Sequence, residues 1–455
     1  MRDMVMVGFL QAQNCSNFAG SWRHPASRSD FASPDYYAHI GKVLEAGKFQ
    51  LAFFDDRLGM PEFHGGRFAE AVAHGIRCVK MDPIACLMPM AMGTTRLGLG
   101  ATYSTTYYHP FHVARLFQTL DLMTRGRAAW NVVTSMNDVE AQNMGLDEAV
   151  AHDARYDRAD EFMQVVHGHW DTWADDALIV DKTTGRFADP DKVHRLDHKG
   201  RHFRSRGPFT VPRSPQGHPV VIQAGQSGRG RRFASQWGEL IFTSNPNLEP
   251  GRKAYAELKA DAASHGRNPD HMKIATLCHP VVAATKAEAE DKFALIERLP
   301  LEVDSLMLLS EATNFDFGSK PIDEPFTDAE LARFTGTQSG RNQVVAVLGD
   351  KKPTPRDFIT ITRRGKLTQP WVGDVKTVAD TFEEWFSAPA CDGFVVGAAC
   401  VPGSYEDFVT LVVPELQRRG LFQKDYKGPT LRENLGLPRP VVGRSDRLSA
   451  SSWHT

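Results

Sequence analysis

Eight short apolar runs rich in β-formers recur along the chain with helical patterns between them, and this alternation limits the fold more than any other feature. They cover residues 5–10, 50–54, 97–103, 128–133, 219–224, 239–242, 274–282 and 393–397. Runs that are apolar on both faces suit strands covered on both sides, as in a parallel sheet. The segments between them carry helix starts and faces, such as Ser33-Pro34-Asp35 ahead of residues 36–47, and the periodic stretches 153–173, 374–386 and 404–419. Eight strands alternating with helices predict an α/β fold, a (β/α)8 TIM barrel, with a doubly wound open sheet as the alternative.

Two stretches are too long for simple connections. Residues 175–213 are rich in charge, His, Gly and Pro, and residues 301–370 have few periodic runs and several turn signals. Both are expected as insertions outside the barrel, lacking a large core of their own and serving as lids, pocket walls or oligomer contacts. No repeat or linker divides the chain, so residues 1–455 read as one domain with a poorly ordered tail after about Pro438.

A formal net charge of −2 gives no electrostatic reason to expect nucleic acid or an anionic membrane as partner. The opening MRDMVMVGFLQAQN has the pattern of neither a signal peptide nor a membrane span, and a cytoplasmic protein is expected. Six widely spaced cysteines with no CxxC pair suggest a reduced, structural set; Cys15, in a loop, is the candidate if any is catalytic.

The chemistry concentrates where apolar runs end. Residues 126–145, GRAAWNVVTSMNDVEAQNMG, read as a buried strand emptying into a polar loop at Thr134-Ser135. After the second run come Asp55-Asp56-Arg57; adjacent side chains project to opposite sides of a strand, so one carboxylate faces a site or the pair is a solvated turn. On the third run Thr102 and Ser104 share one face and Tyr103 and Thr105 the other, although Thr is also simply a good strand former. His152 and Tyr156 are four apart at a helix start, where free N–H groups suit a phosphate; caps or packing groups are the plainer reading. The loop QAGQSGRGRR at residues 223–232 offers Ser227, Gly228 and Arg229 to an anion, yet matches neither the dinucleotide nor the triphosphate fingerprint. His167 and His169 diverge on a helix, and His194, His198 and His202 lack a supporting ligand framework, so no metal site is expected.

Taken together, GRAAWNVVTS, HDARYDRADEF, PRSPQGHPVVIQAG and VVPELQRRGLF resemble the flavin-dependent monooxygenases of the bacterial-luciferase superfamily. The likeness is to the branch with the nitrilotriacetate, dibenzothiophene-sulfone and long-chain alkane monooxygenases, and runs from about Val7 to about Pro438. It implies a barrel enzyme that takes reduced FMN (FMNH2) from a separate NAD(P)H:flavin reductase, reacts it with O2, and inserts one oxygen atom into a small organic substrate, often breaking a C–N or C–S bond. It implies a homodimer or homotetramer. It assigns the flavin to Asp56, Thr102 (with Ser104 second), Ser135, His152, Tyr156, Ser227, Gly228 and Arg229. Phe9, Phe18, Trp22, Phe54 and Phe242 are expected as apolar walls of the substrate pocket, with core packing as the plain alternative.

Two departures stand out. Many relatives have a His in the loop after the first strand where this chain reads Asn14-Cys15-Ser16-Asn17, so no proton-transfer role carries over, although Asn17 retains a hydrogen-bonding side chain. Met136 stands where the alkane enzyme has a polar ring. The substrate is left as aminopolycarboxylate-like or organosulfur/heteroaromatic; a polyanion would call on Arg57, Arg363 and Arg364. A flavin- or F420-dependent dehydrogenase on the same barrel, or a non-catalytic flavin-binding protein, are the competing readings. A metal-dependent barrel hydrolase is disfavoured by the absence of an HxH ending on the first strand.

Overall fold

A computed structural model describes residues 3–13, 18–225 and 228–442. Eight parallel strands form a closed ring: β1 (Val5–Gln11), β2 (Leu51–Asp55), β3 (Gly98–Ser104), β4 (Ala128–Val133), β5 (Val220–Gln223), β6 (Leu240–Thr243), β7 (Lys273–Ala283) and β8 (Gly393–Val396). Each pairs with its neighbours in the sequence, and β8 closes the ring on β1, with Val5 opposite Gly393. All eight apolar runs are barrel strands, so the fold is the expected TIM barrel and the open sheet is excluded.

The period of two splits each strand between two cores. Val5, Val7, Leu51, Phe53, Ala129, Ile222, Phe242 and Val395 point inward and fill the barrel. Their sequence neighbours Met6, Ala52, Phe54, Ala101, Trp130 and Val132 point outward into the helical layer. That layer includes α1 (Pro34–Ala46), α2 (Pro110–Met123), α3 (His152–Trp170) and α4 (Gly228–Trp237). The predicted start of α1 is present: Ser33 caps it by accepting from the Asp35 N–H at 3.2 Å, with Pro34 in the first turn. Trp130 packs between Phe117 and Phe162, at ring separations of 5.7 and 5.9 Å, and donates its indole N–H to the Tyr103 carbonyl at 3.1 Å. Truncating such a ring to Ala costs about 3–5 kcal/mol.

The first insertion is two short antiparallel hairpins, Leu178–Asp181 with Arg186–Ala188 and His198–Lys199 with Arg204–Ser205. Glu161 of α3 anchors the second, accepting from the N–H groups of His202 and Phe203 at 2.8 Å each.

The second insertion departs from expectation because it has a core of its own. Helices α5 (Glu302–Thr313), Asp328–Ala332, Gln338–Leu348 and α6 (Pro355–Thr362) surround Phe315, Phe317, Phe326, Phe334 and Phe358. Those rings recur at irregular spacings across several short elements, so their contacts leave no periodic signature. The segment returns through a short strand, Pro370–Asp374, that pairs with the far half of β7, His279 opposite Pro370. That ninth strand had no strong apolar signal.

At the N-terminal end of the strands, α7 (Leu431–Leu435) corks the barrel with Leu431, Leu435 and Leu437. The cork comes so close that a Cβ at Gly98 would lie 2.6 Å from a Leu431 methyl. Arg432 fixes it through a bidentate pair with Glu239, both contacts 2.8 Å.

Candidate active site

The opposite, C-terminal ends of the strands carry the polar groups. Phe9, Phe53 and Phe242 form an apolar floor, with ring separations of 5.6 Å for Phe9–Phe53 and 4.9 Å for Phe53–Phe242. Above it the next inward positions of β1 and β2 are polar. The Gln11 amide donates to Asp55 at 2.8 Å, the Gln13 amide donates to Gln11 at 2.6 Å, and Lys80 meets the other Asp55 oxygen at 2.5 Å. Across the barrel, Thr102 donates to the Phe54 carbonyl at 3.0 Å and accepts from the Asn131 amide at 2.9 Å. The Asn131 amide oxygen is buried and has no hydrogen-bond partner among the described residues. An orphaned acceptor of this kind is costly unless a ligand satisfies it.

Beside this floor a cavity of about 410 Å³ is lined by Asp56, Arg57, Met60, Arg77, Lys80, Asp82 and Tyr108. Burial pushes the Asp56 carboxyl up to about 7, against the Arg57 N–H and the Lys80 charge, which favour ionisation. Asp82 is committed to the Tyr103 hydroxyl at 2.6 Å and the Ile84 N–H at 2.8 Å.

At the end of β5 the chain turns into α4. Gly228 at its start has φ 52°, and among the described residues beyond its chain neighbours nothing lies within 4 Å of where its Cβ would be. Tyr156 borders this start, because a Cβ at Gly230 would sit 2.7 Å from its hydroxyl. Burial raises the pKa of that hydroxyl, against the Thr134 side chain and the charges of Arg155 and Arg229, which lower it. Arg229 lies over the Tyr156 ring and pairs with Asp157 and Asp160 of α3, leaving its Nη1 buried without a hydrogen-bond partner among the described residues. Ser135 adopts a left-handed φ of 39°, a strained setting for a residue other than Gly that recurs at functional loops.

The structure therefore brings Thr102, Ser135, Tyr156, Gly228 and Arg229 to one side of the mouth, with Ser104 buried at the end of β3 and Asp56 across from it in the cavity wall. His152 and Tyr156 share a helix face as expected, at a ring separation of 5.1 Å, but His152 is exposed and pairs with Asp153 at 2.7 Å. Arg229 is chiefly a clamp between α3 and α4. Ser227 and Asn17, with Cys15, lie outside the described residues. Phe9 and Phe242 line the floor; the other three aromatic candidates do not. Phe54 faces the helical layer, 5.9 Å from Tyr37, because strand alternation gives the inward place to Phe53. Phe18 packs with Val281, Ile296 and Leu367 beneath the second insertion. Trp22 is on the surface, donating to the His74 carbonyl at 2.9 Å. Met136 is exposed on the loop after β4. Asn131 is visible in the sequence as a lone amide inside an apolar run, a signal absent from the expected site; Lys80, Arg77 and Glu311 carry no local signal. No helix among the described residues is long and apolar enough to cross a membrane.

Residues 14–389 match the family described as luciferase-like monooxygenase. The chain is 42% identical over 453 residues to a dibenzothiophene-sulfone monooxygenase of Rhodococcus erythropolis, covering 97% of this chain and 98% of that one. It is 38% identical to nitrilotriacetate monooxygenase component A of Aminobacter aminovorans, covering 95% and 96%. Among solved structures, a riboflavin lyase crystallised with modified FMN and riboflavin superposes with a TM-score of 0.86 at 32% identity, covering 98% of this chain and 100% of that one.

Proposed function

This chain belongs to the luciferase-like monooxygenase family, and from that premise we propose that it is the oxygenase component of a two-component system, using reduced FMN and O2 to oxidise a small organic substrate. The observation that carries the cofactor assignment is the start of α4, where Gly228 leaves the space at its Cβ clear of the other described residues. The first N–H groups of a helix lack intrahelical acceptors, the Tyr156 hydroxyl borders Gly230 of the first turn, and Arg229 follows Gly228 with a positive charge, a set that suits an FMN phosphate. Thr102, Ser135 and the Asn131 amide oxygen line the way for the ribityl chain, and Phe9, Phe53 and Phe242 provide an apolar floor for the ring.

When bound, reduced FMN supplies the electrons and the oxygen-activating chemistry. The protein's own part is to bind, orient and keep the site dry. The second insertion roofs the mouth, with Asn137 of the loop after β4 donating to the Glu311 carbonyl of α5 at 3.3 Å. Asp56, divided between its two protonation states near neutral pH, can hold or release a proton at Oδ2 while Oδ1 accepts from the Arg57 N–H.

A separate NAD(P)H:flavin reductase fits a chain in which no dinucleotide fingerprint occurs, and the name of the nitrilotriacetate relative's "component A" points the same way. Among the described residues Cys78, Cys86, Cys278, Cys391 and Cys400 form no disulfide, which suits the reducing cytoplasm. The assignment is tested by anaerobic titration with reduced FMN, then by product formation with and without O2. Saturable binding with O2-dependent oxidation is expected; turnover in the absence of O2 would mean a dehydrogenase, and no flavin binding would refute the assignment.

A further inference from the structure

On β7 the inward positions Ala275 and Leu277 add to the apolar core of the barrel, and the next position on that face is His279. It is 1% exposed. An imidazole buried where an aliphatic group would pack costs free energy unless its polar atoms are bonded. The bond goes to the second insertion: Nδ1 lies 2.5 Å from the Thr368 carbonyl, and since a carbonyl only accepts, Nδ1 carries the proton. Burial brings the ring's pKa down to about 4, so it is neutral at physiological pH. β8 makes room for it, because a Cβ at Gly397 would lie 2.4 Å from Nε2 and 2.6 Å from Cδ2. Gly397 follows Val396, the partner of Gly8, and therefore stands beside Phe9 of the floor.

Thr368 belongs to the loop by which the second insertion returns to the barrel. Two residues other than Gly with left-handed backbone bracket that loop, Arg363 at φ 51° and Gln369 at φ 49°, a strained setting that persists only where neighbours hold it. Arg363 is turned to Glu297, at 2.6 Å, and to the Leu367 carbonyl. Between the two, Gly365 at φ 87° is pressed against α5, where a Cβ would lie 2.7 Å from Ser305 Oγ and 3.0 Å from its Cα. α5 in turn carries Glu311, which pairs with Arg57 and lies 3.4 Å from Arg77, both in the wall of the cavity of about 410 Å³. Contacts thus run from the rim of the floor through His279, Thr368 and Gly365 to the helix over the cavity.

We propose that His279 is a positioning residue: its bond to Thr368 fixes the returning arm of the second insertion at the rim of the barrel and, through Gly365, holds α5 closed over the flavin site. The proposal rests on the flavin monooxygenase reading and assigns to one side chain part of the exclusion of water that this reading requires. A packing role asks position 279 only for volume. The tether asks it for a donor at the place of Nδ1.

Three variants separate the two demands. His279→Asn keeps an N–H close to the place of Nδ1, His279→Gln moves it to the place of Nε2, and His279→Leu keeps volume alone. In the flavin-free protein, hydrogen exchange over residues 302–313 and 363–374 should quicken about tenfold in the Leu and Gln variants, which leave the Thr368 carbonyl unpaired, and stay near the wild-type rate in the Asn variant. FMN release, followed by stopped flow, should quicken in the same two variants and be restored by Asn. If the Leu variant fails to fold, the Asn and Gln variants carry the same comparison. Wild-type exchange in the Gln variant, equal quickening in all the variants, or faster exchange with unchanged FMN release would overturn the proposal. Failure of the wild type to bind FMN would instead refute the flavin reading, on which the flavin-free exchange comparison does not depend.

Discussion

Gly225→Ala asks most directly whether the start of α4 holds a phosphate. A Cβ at Gly225 would lie 2.5 Å from the Gly230 carbonyl oxygen and 2.7 Å from its carbon, whereas ordinary contact begins at 3.4 Å. Both opposing atoms are backbone, so relief requires the loop and the first turn of α4 to separate by most of an ångström. Overpacking of this kind costs about 1–3 kcal/mol of stability. The same separation stretches N–H bonds to a phosphate beyond useful range, and one hydrogen bond to a charged group is worth about 1.5–3 kcal/mol. FMN affinity should therefore fall about tenfold or more. Gly238→Ala is the control at the other end of the same helix, where a Cβ would meet an Ile241 methyl at 2.3 Å and the Ala234 carbonyl oxygen at 2.8 Å. It should destabilise by a similar amount and leave FMN affinity unchanged. Urea denaturation and anaerobic flavin titration of both variants give the two numbers. If Gly225→Ala is destabilised yet binds reduced FMN like the wild type, the phosphate is held elsewhere.

Phe53→Ala and Phe54→Ala should each lose about 3–5 kcal/mol in urea denaturation, but only Phe53→Ala opens the floor and should weaken reduced-FMN binding; equal effects would contradict the assignment of faces on β2. For Asp56 the folded carboxyl titrates near 7 against 3.8 in the free side chain, so the folded protein retains a proton that the unfolded chain has released. Stability should accordingly fall as pH rises from about 4 to about 7, by a few kcal/mol at most, and level off above. Asp56→Asn should flatten that slope and be the more stable protein at pH 8 in thermal melts; an unchanged slope would assign the pH dependence to another group.

The barrel was legible because its strands are buried on both faces, which turns each into an uninterrupted apolar run. That same property hid the phase of the runs. In Leu51–Asp55 both faces are apolar, so nothing local says that Phe53 rather than Phe54 looks inward, or that Asp55 takes the axis and Asp56 the cavity. The shared face of His152 and Tyr156 was legible from helical spacing, whereas their link to a flavin came from the family resemblance alone. The roof was not found. Its five phenylalanines recur at irregular spacings that follow no helical or strand period, and Arg57 and Arg77 stand more than about 200 positions before Glu311, so only the closed fold makes them neighbours.

The cork at Leu431–Leu435 bears on how the chain is made. A ribosome delivers β1 first, yet its partner β8 and the leucines that seal the bottom follow roughly 400 residues later. At about 5–20 residues per second, Val5, Val7 and Leu51 wait on the order of tens of seconds for cover. The nascent barrel is thus an open trough of aliphatic side chains for most of its synthesis, a natural client for a chaperone, and a chain halted before Leu431 should accumulate as aggregate.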